Sequence, residues 1–234
     1  MIDPDWAAPW FAPYREVGAP VLARLAAGRP VHEALGDPRF ERAGALKSGY
    51  EQHVAATGRV PTRDNAHDLF NGLVWLRCPA FKAALNRAHM AAPPAPAGRR
   101  GPARDALTLL DESGLLLSGP PALQAALQAQ DWPALFVKLR ASWREARALI
   151  VGHALLEKLL VPRKALCARV LWVQDVEAPE LPSAPTPALL PPLPVLGIPG
   201  WWPPNEVPGF YGDEQVFRPK RLASAAVPGG PVCP

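Results

Sequence analysis

Apolar and polar positions alternate with a helical period through the central stretch, residues 61–86. Read as a helix from Asp64, this stretch carries an apolar stripe at Leu69, Phe70, Leu73 and Leu76. Four polar residues share the neighbouring face at spacings i, i+3, i+4 and i+7: Asp64, His67, Asp68 and Asn71. Cys78-Pro79 ends this helix and begins a second one, because proline is tolerated at the first helical position. We therefore predict two consecutive helices, the first with Asp64 as its N-cap.

The same periodicity predicts further helices on both sides of the central stretch. They cover about residues 14–25, 31–35, 46–56, 120–130 and 132–143. The run between Ala91 and Ala103 has the composition of a loop, since it is rich in proline, alanine and glycine. Helix therefore dominates the predicted secondary structure.

Three segments carry the β-structure expected from the sequence. Two apolar runs in residues 105–118 flank Asp111-Glu112-Ser113-Gly114, a pattern typical of a hairpin with glycine at the turn. Residues 146–160 form either one helix, or a short strand to Val151 followed by a helix from Gly152. Residues 165–173 are compatible with strand or helix. The fold class is accordingly mostly α (α+β), a single helical domain with a small β-hairpin.

Proline content divides the chain into two parts. There are 31 prolines in 234 residues, and about half of them follow Val176. The first part, residues 1–175, has the composition of a globular helical domain. The second part, residues 176–234, is rich in proline but also in aliphatic and aromatic residues, which disordered tails lack. We expect this C-terminal segment to pack on the surface of the same unit, docking through Pro199 to Tyr211.

Charge and cysteine content narrow the functional classes. The net charge of +4 is spread along the chain, and the short basic runs at residues 98–100 and 218–221 are typical of solvated loops. A nucleic acid partner is therefore only weakly supported. Three widely spaced cysteines indicate neither a disulfide framework nor a cysteine zinc site. Without a stretch of roughly 18 uncharged apolar residues, no membrane partner is expected. These features and the acidic N-terminal residues indicate a soluble cytoplasmic protein.

His153 and Glu157 form a second polar pair, at helical spacing i, i+4 within an apolar surface. An unpaired charge there would be costly, so the pair needs partners. One solution is a divalent metal, zinc, manganese or iron, held by His67, Asp68, His153 and Glu157 across two helices. The other solution is structural: His153 donates to a backbone carbonyl, and Glu157 pairs with a nearby lysine or arginine. The sequence leaves both open, and it also leaves open whether Asp105, Asp111 or Glu112 adds a carboxylate to the site.

A metal at this position would suit a hydrolase, because a bound ion lowers the pKa of a water molecule. Asn71 would then orient the substrate, and Arg63 would stabilise anionic charge. His67 with Asn71 is similar to the His-Asn pattern of some nucleases, which suggests a phosphodiester substrate, although those folds place a hairpin before the histidine. The alternative is a non-catalytic module that binds a protein partner through its tryptophans and prolines. Phosphate-binding glycine loops and serine-nucleophile motifs are absent from the sequence.

Several segments, in the same order along the chain, resemble an uncharacterised bacterial family of unknown function, DUF family 3025. The resemblance rests on PTRDNAHDLFNGLVWLRCPAFKAALN, RDALTLLDESG, GHALLEKLL, LPVLGIPGWWPPNE and FYGDEQVFRP. The chain departs from the family at Ala66, where an aromatic residue is usual, and at Cys78, where phenylalanine is usual. The resemblance implies that the proline-rich segment belongs to the same unit as the helices. It implies no activity.

Overall fold

A computed structural model of the chain describes residues 2–44, 48–93, 101–207 and 209–218. Eight α-helices lie in these ranges: α1 (Arg15–Ala26), α2 (Val31–Ala34), α3 (Tyr50–Thr57), α4 (Ala66–Arg77), α5 (Pro79–Ala91), α6 (Pro102–Ser113), α7 (Pro121–Ala129) and α8 (His153–Lys158). The predicted basic run at residues 98–100, most of the run at 218–221, the first residues of the predicted helix 46–56, and Cys233 lie outside the described residues.

The strands form two sheets. They are β1 (Phe40–Arg42), β2 (Val60–Thr62), β3 (Gly114–Ser118), β4 (Arg147–Ile150), β5 (Cys167–Trp172) and β6 (Pro192–Pro194). The small sheet is a parallel pair of β1 and β2, which the sequence did not predict. The main sheet has the order β4-β3-β5-β6, with β3 antiparallel to β4 and parallel to β5, and β6 antiparallel to β5. Helices outweigh strands, which confirms the mostly helical α+β class.

Short 3-10 and π segments complete the fold. The 3-10 helices are Ala12–Tyr14, Arg140–Arg144, Pro187–Leu189, Val195–Gly197, Pro203–Glu206 and Phe210–Gly212, and Pro133–Lys138 is a π-helix. Residues 132–143 therefore contain two irregular helical segments where the sequence predicts one regular helix.

The predicted hairpin at residues 105–118 is wrong. The first apolar run is the end of α6, and only the second run, β3, is a strand. Ala106, Leu107 and Leu110 are buried at helical spacing, so the apolar positions of this segment follow the period of a helix. Asp111 and Glu112 consequently belong to the last turn of α6 rather than to a turn between strands. Leu115, Leu116 and Leu117 are fully buried, as expected for a central strand covered on both faces.

For residues 146–160 the structure selects the second of the two alternatives, strand β4 followed by helix α8. Gly152 lies between them, and a Cβ atom there would collide with the backbone of Ser113 and Gly114. The backbone amides of Val151 and Gly152 both donate to the carbonyl of Gly114. The close approach of these two chain segments therefore depends on glycine, and it brings the start of α8 beside the end of α6.

The predicted N-cap of α4 is also wrong, by one residue. Asn65 is the N-cap, and its side-chain oxygen accepts from the backbone amide of Asp68 at 2.7 Å. Asp64 instead accepts from the backbone amide of Val31 at 2.7 Å, at the start of α2. Asp64 thus links the segment before α4 to the start of α2, a contact that the local sequence does not predict.

The C-terminal segment contributes to both the sheet and the core. Leu193, Val195 and Leu196 are fully buried. The amide nitrogen of Asn205 donates to the carbonyls of Leu196 and Ile198 at 2.9 and 2.7 Å. No described helix is long and apolar enough to cross a membrane. The division of the chain at about residue 175 stays a prediction.

Candidate metal centre

A cavity of about 760 Å³ opens among α3, α4, α6 and the start of α8. The residues that line it include most of the predicted site, among them Arg63, His67, Asp68, Asn71 and His153. Helix α8 packs against both α4 and α6, so three helices converge on one wall of the cavity. The tertiary structure therefore brings together polar residues from distant parts of the sequence.

His67 and His153 face each other across this wall. His67 lies in the first turn of α4, and His153 is the first residue of α8. Their Nε2 atoms are 2.9 Å apart, and the rings meet edge to face with centroids 4.4 Å apart. Two Nε2 atoms at this distance must share a proton or a cation, since two bare lone pairs would repel.

Glu112 supplies a carboxylate on the Nε2 side of His153, the side that faces His67. Its Oε2 lies 3.8 Å from His153 Nε2. One ligand atom from each of His67, Glu112 and His153 lies within 4.8 Å of the others. Burial raises the pKa of the Glu112 carboxyl, while the neighbouring His67 opposes that shift. The sequence favours a hairpin turn for Glu112 and leaves open whether its carboxylate joins a site, and the structure places it beside the two histidines.

Glu157, predicted as a ligand, contacts the far side of an imidazole instead. Its Oε2 is 3.3 Å from His67 Nδ1, the nitrogen that points away from His153. Carboxylates that accept from the outer nitrogen of a histidine commonly fix its tautomer and ring orientation. The structure thus places Glu157 beside the predicted ligand His67, in a supporting position.

Asp68, also predicted as a ligand, is hydrogen-bonded to Arg63. It accepts from the backbone amide of Arg63 at 2.7 Å and from Nε and Nη2 at 3.0 and 2.8 Å. Burial acts to raise the pKa of Asp68, but the hydrogen bonds and charge of Arg63 outweigh it and lower the pKa. Asp68 is absent from the three-residue group described above, so this geometry does not support it as a ligand.

Asn71 and Arg63, predicted to contact substrate, both line the cavity. The Asn71 amide donates to the Tyr50 hydroxyl at 3.0 Å, and its Oδ1 is buried with no hydrogen-bond partner among the described residues. A buried carbonyl oxygen without a donor is uncommon and is a natural acceptor for a ligand. The Arg63 side chain is 65% exposed, so it can contact solvent or ligand while it holds Asp68.

A buried ion pair lies behind His153. Lys82, in α5, is 3% exposed and pairs with Asp111 in α6. Asp111 Oδ2 lies 3.9 Å from His153 Nδ1. Burial lowers the pKa of His153 to about 4, against the opposing charge of Asp111. His153 is therefore neutral near pH 7, the form in which imidazole binds metals.

The donor set fits a divalent transition metal. Two neutral imidazoles and one carboxylate are ligands of catalytic zinc sites, which leave a fourth position open. With metal–nitrogen bonds of about 2.0–2.1 Å and tetrahedral angles, two ligating nitrogens lie about 3.3 Å apart. The observed 2.9 Å means that the imidazoles would separate by about 0.4 Å to bind an ion. Such a shift is small for side chains on packed helices.

Comparison with known proteins identifies the family and leaves the activity open. No curated protein and no solved structure matches the chain. A family model described as "Protein of unknown function (DUF3025)" matches residues 39–188 and 175–221. The matched ranges contain the whole cluster around His67 and His153, together with strand β6 and the aromatic residues that follow it. The chain therefore belongs to the DUF3025 family.

Proposed function

We propose that this protein is a metal-dependent hydrolase that acts on phosphodiesters, with a divalent ion held by His67, His153 and Glu112. The ion would be zinc, manganese or iron, since all three accept imidazole and carboxylate ligands. When bound, it would supply Lewis-acid chemistry and lower the pKa of a water molecule.

One observation carries the proposal. The Nε2 atoms of His67 and His153 face each other at 2.9 Å, while both Nδ1 atoms face carboxylates. A carboxylate can only accept, so it favours the tautomer with hydrogen on Nδ1 and a bare Nε2. Two bare Nε2 atoms pointing at each other create a position for a cation.

The surroundings of the cluster favour an anionic substrate. Arg63, His89 and Arg104 line the same cavity, and for Arg104 no ion pair is found within the described ranges. Of the four acids that line the cavity, Asp68 and Asp111 are neutralised by Arg63 and Lys82, whereas Glu51 and Glu112 have no cationic side-chain partner of this kind among the described residues. With an ion bound beside Glu112, the cavity would carry net positive charge and attract a phosphodiester. Nucleic acid is one source of such a substrate.

Asn71 and Arg63 would position that substrate. The free Oδ1 of Asn71 can accept a hydrogen bond from a hydroxyl or amine of the substrate. The guanidinium of Arg63 can donate to a phosphate oxygen, while Asp68 holds its other nitrogens in place. The three cysteines, widely spaced along the chain, suit a reducing compartment, and we place the enzyme in the cytoplasm.

The alternative, a protein-interaction module, lacks a specific observation in its favour. Trp201 packs beside Trp10 with ring centroids 6.4 Å apart, and Trp202 lies 6.0 Å from Phe210. These tryptophans are half-buried against the protein itself, so they leave less apolar surface for a partner.

Elemental analysis of the purified protein tests the proposal. We expect about one divalent ion per chain after incubation with zinc, manganese or iron, and none in the His67→Ala and His153→Ala variants. His53→Ala is the matched control, because His53 pairs with Glu41 outside the cavity. The loaded protein should hydrolyse a chromogenic phosphodiester, and the two site variants should not. Failure of the parent protein to bind any of the three ions would overturn the proposal.

A further inference from the structure

Lys82 and Asp111 form an ion pair inside the protein, next to the metal centre. Lys82 is 3% exposed, and the Asp111 side chain is 16% exposed. Burying two charges costs free energy that their attraction does not always recover, so such a pair is weak evidence for stability. Its position relative to other groups is therefore the better guide to its role.

The free oxygen of the pair is directed at His153. Asp111 Oδ1 binds Lys82, and Oδ2 lies 3.9 Å from His153 Nδ1. That nitrogen is buried and has no hydrogen bond within ordinary distance to any described residue. A movement of about 1 Å would bring Nδ1 and Oδ2 to the 2.7–2.9 Å of a charge-assisted hydrogen bond.

The same arrangement occurs at the other imidazole. Glu157 lies 3.3 Å from His67 Nδ1, as Asp111 lies behind His153 Nδ1. The two carboxylates differ in environment: the Glu157 side chain is 38% exposed, whereas Asp111 is enclosed and held by Lys82. Each imidazole therefore has an acidic group on its outer nitrogen, and among the described residues only Asp111 of these two acids is paired with a cation.

We propose that Lys82 and Asp111 are positioning residues, which hold His153 in the tautomer with hydrogen on Nδ1 so that its Nε2 lone pair faces His67 and Glu112. Lys82 fixes the carboxylate of Asp111, and Asp111 fixes the imidazole. The consequence for metal affinity rests on the function proposed above, whereas the tautomer of His153 can be measured without any metal.

Histidine nitrogen NMR of the metal-free, full-length protein tests the tautomer. In the metal-free parent we expect His153 to show a protonated Nδ1 and an unprotonated Nε2 that accepts a hydrogen bond from Nε2 of His67. In the Lys82→Met, Asp111→Leu double variant, which replaces the ion pair with apolar residues of similar size, we expect a mixture of tautomers. Glu41→Gln is the matched control, since it alters the carboxylate partner of His53, outside the cavity, and should leave His153 unchanged. An unchanged His153 tautomer in the double variant would overturn the proposal.

Zinc titration against a competing chelator tests the consequence. Loss of a residue that orients a metal-binding histidine typically lowers affinity 10–100-fold, and we expect a loss in this range for the double variant. If the parent binds none of zinc, manganese and iron, the proposed function fails, and the tautomer measurement still decides the role of the pair. If the parent binds zinc and the double variant binds it equally well, the positioning role fails alone.

Single substitutions keep the test informative if the double variant does not fold. Asp111→Asn retains the volume of the side chain but removes its charge, and should give the same tautomer mixture. Lys82→Arg retains the cation and should keep the parent tautomer. A Lys82→Arg variant with mixed tautomers, beside an Asp111→Asn variant with the parent tautomer, would contradict the proposal.

Discussion

Two acidic residues of the cavity, Asp68 and Glu112, differ in their hydrogen-bond partners. Asp68 lies next to His67 in the sequence, which suggests it as a ligand. In the structure its carboxylate accepts three hydrogen bonds from Arg63. Glu112 lies 44 residues after Asp68, and its carboxylate has no such partner within the described part of the chain. The hydrogen-bond partners of a carboxylate depend on the fold, so position in the sequence does not by itself identify a ligand.

Exchanging each carboxylate for an amide should separate these roles. We expect Glu112→Gln to reduce zinc affinity at least tenfold with little change in stability, since an amide oxygen is a poorer ligand and the side chain is 43% exposed. Asp68→Asn should lower the free energy of unfolding by about 1–3 kcal/mol, because it breaks charge-assisted bonds to Arg63. Zinc titration and urea unfolding measure the two effects. Loss of zinc binding in Asp68→Asn alone would reverse the assignment.

The Cys78 thiol should be unreactive near neutral pH. Burial raises its pKa to about 11, so the reactive thiolate is scarce at pH 8 and becomes common only as the pH approaches that value. We expect the rate of alkylation by iodoacetamide, followed on the Cys78 peptide by mass spectrometry, to rise about tenfold per pH unit between pH 8 and 10. A rate that levels off near pH 8.5, as for a free cysteine, would contradict this.

At the scale of elements, the position of the site depends on the contact between two helix–strand junctions, α6–β3 and β4–α8. Helix α6 turns into β3 at Gly114, and β4 turns into α8 at Gly152, and the two glycines are in backbone contact. This contact brings Glu112 and Asp111, at the end of α6, beside His153, at the start of α8. The hairpin expected from the sequence would have kept both acids on a turn.

Gly152→Ala should therefore disturb both fold and site. The added Cβ would collide with the backbone of Ser113 and Gly114, which cannot rotate away as a side chain can. We expect a loss of about 1–3 kcal/mol in the free energy of unfolding, the usual range for overpacking, and weaker zinc binding. Gly212→Ala is the control, because a Cβ there meets no atom within 4 Å. Equal urea midpoints for the two variants would contradict the prediction.

At the scale of the whole molecule, the C-terminal segment supplies an edge strand of the main sheet. Strand β6 pairs with β5, so the edge of the sheet is formed by residues that lie beyond the predicted boundary at residue 175. Leu193, Val195 and Leu196 are fully buried beside it. The family match over residues 175–221 includes these residues.

A chain shortened to residues 1–175 should not fold cooperatively. Each of the three buried aliphatic side chains contributes about 1.5–3 kcal/mol through burial, a total comparable with the 5–15 kcal/mol by which proteins of this size are stable. We expect thermal unfolding followed by circular dichroism to lose its sharp transition, compared with that of the full chain. A shortened chain with an unchanged transition would show that the first part is an independent domain.

The sequence by itself determined the elements whose signals are local. Helices α4 and α5 follow from apolar spacing and from Cys78-Pro79, because helical periodicity is set within a few residues. His67, His153 and Glu157 could be singled out for the same reason, as polar side chains on otherwise apolar helices. Glu112 and Asp111 could have been found by reading residues 102–113 as a helix, since Ala106, Leu107 and Leu110 have helical spacing.

Only the tertiary structure decided which of these residues meet. His67 and His153 are 86 residues apart in the chain, and the distance between their nitrogens is set by the packing of α4 on α8. The fold likewise determines that Lys82 is buried against Asp111. It also determines that Asp68 is paired with Arg63. Periodicity fixes the face of a helix on which a side chain lies, whereas the group that it contacts is fixed by how the helices and the sheet pack together.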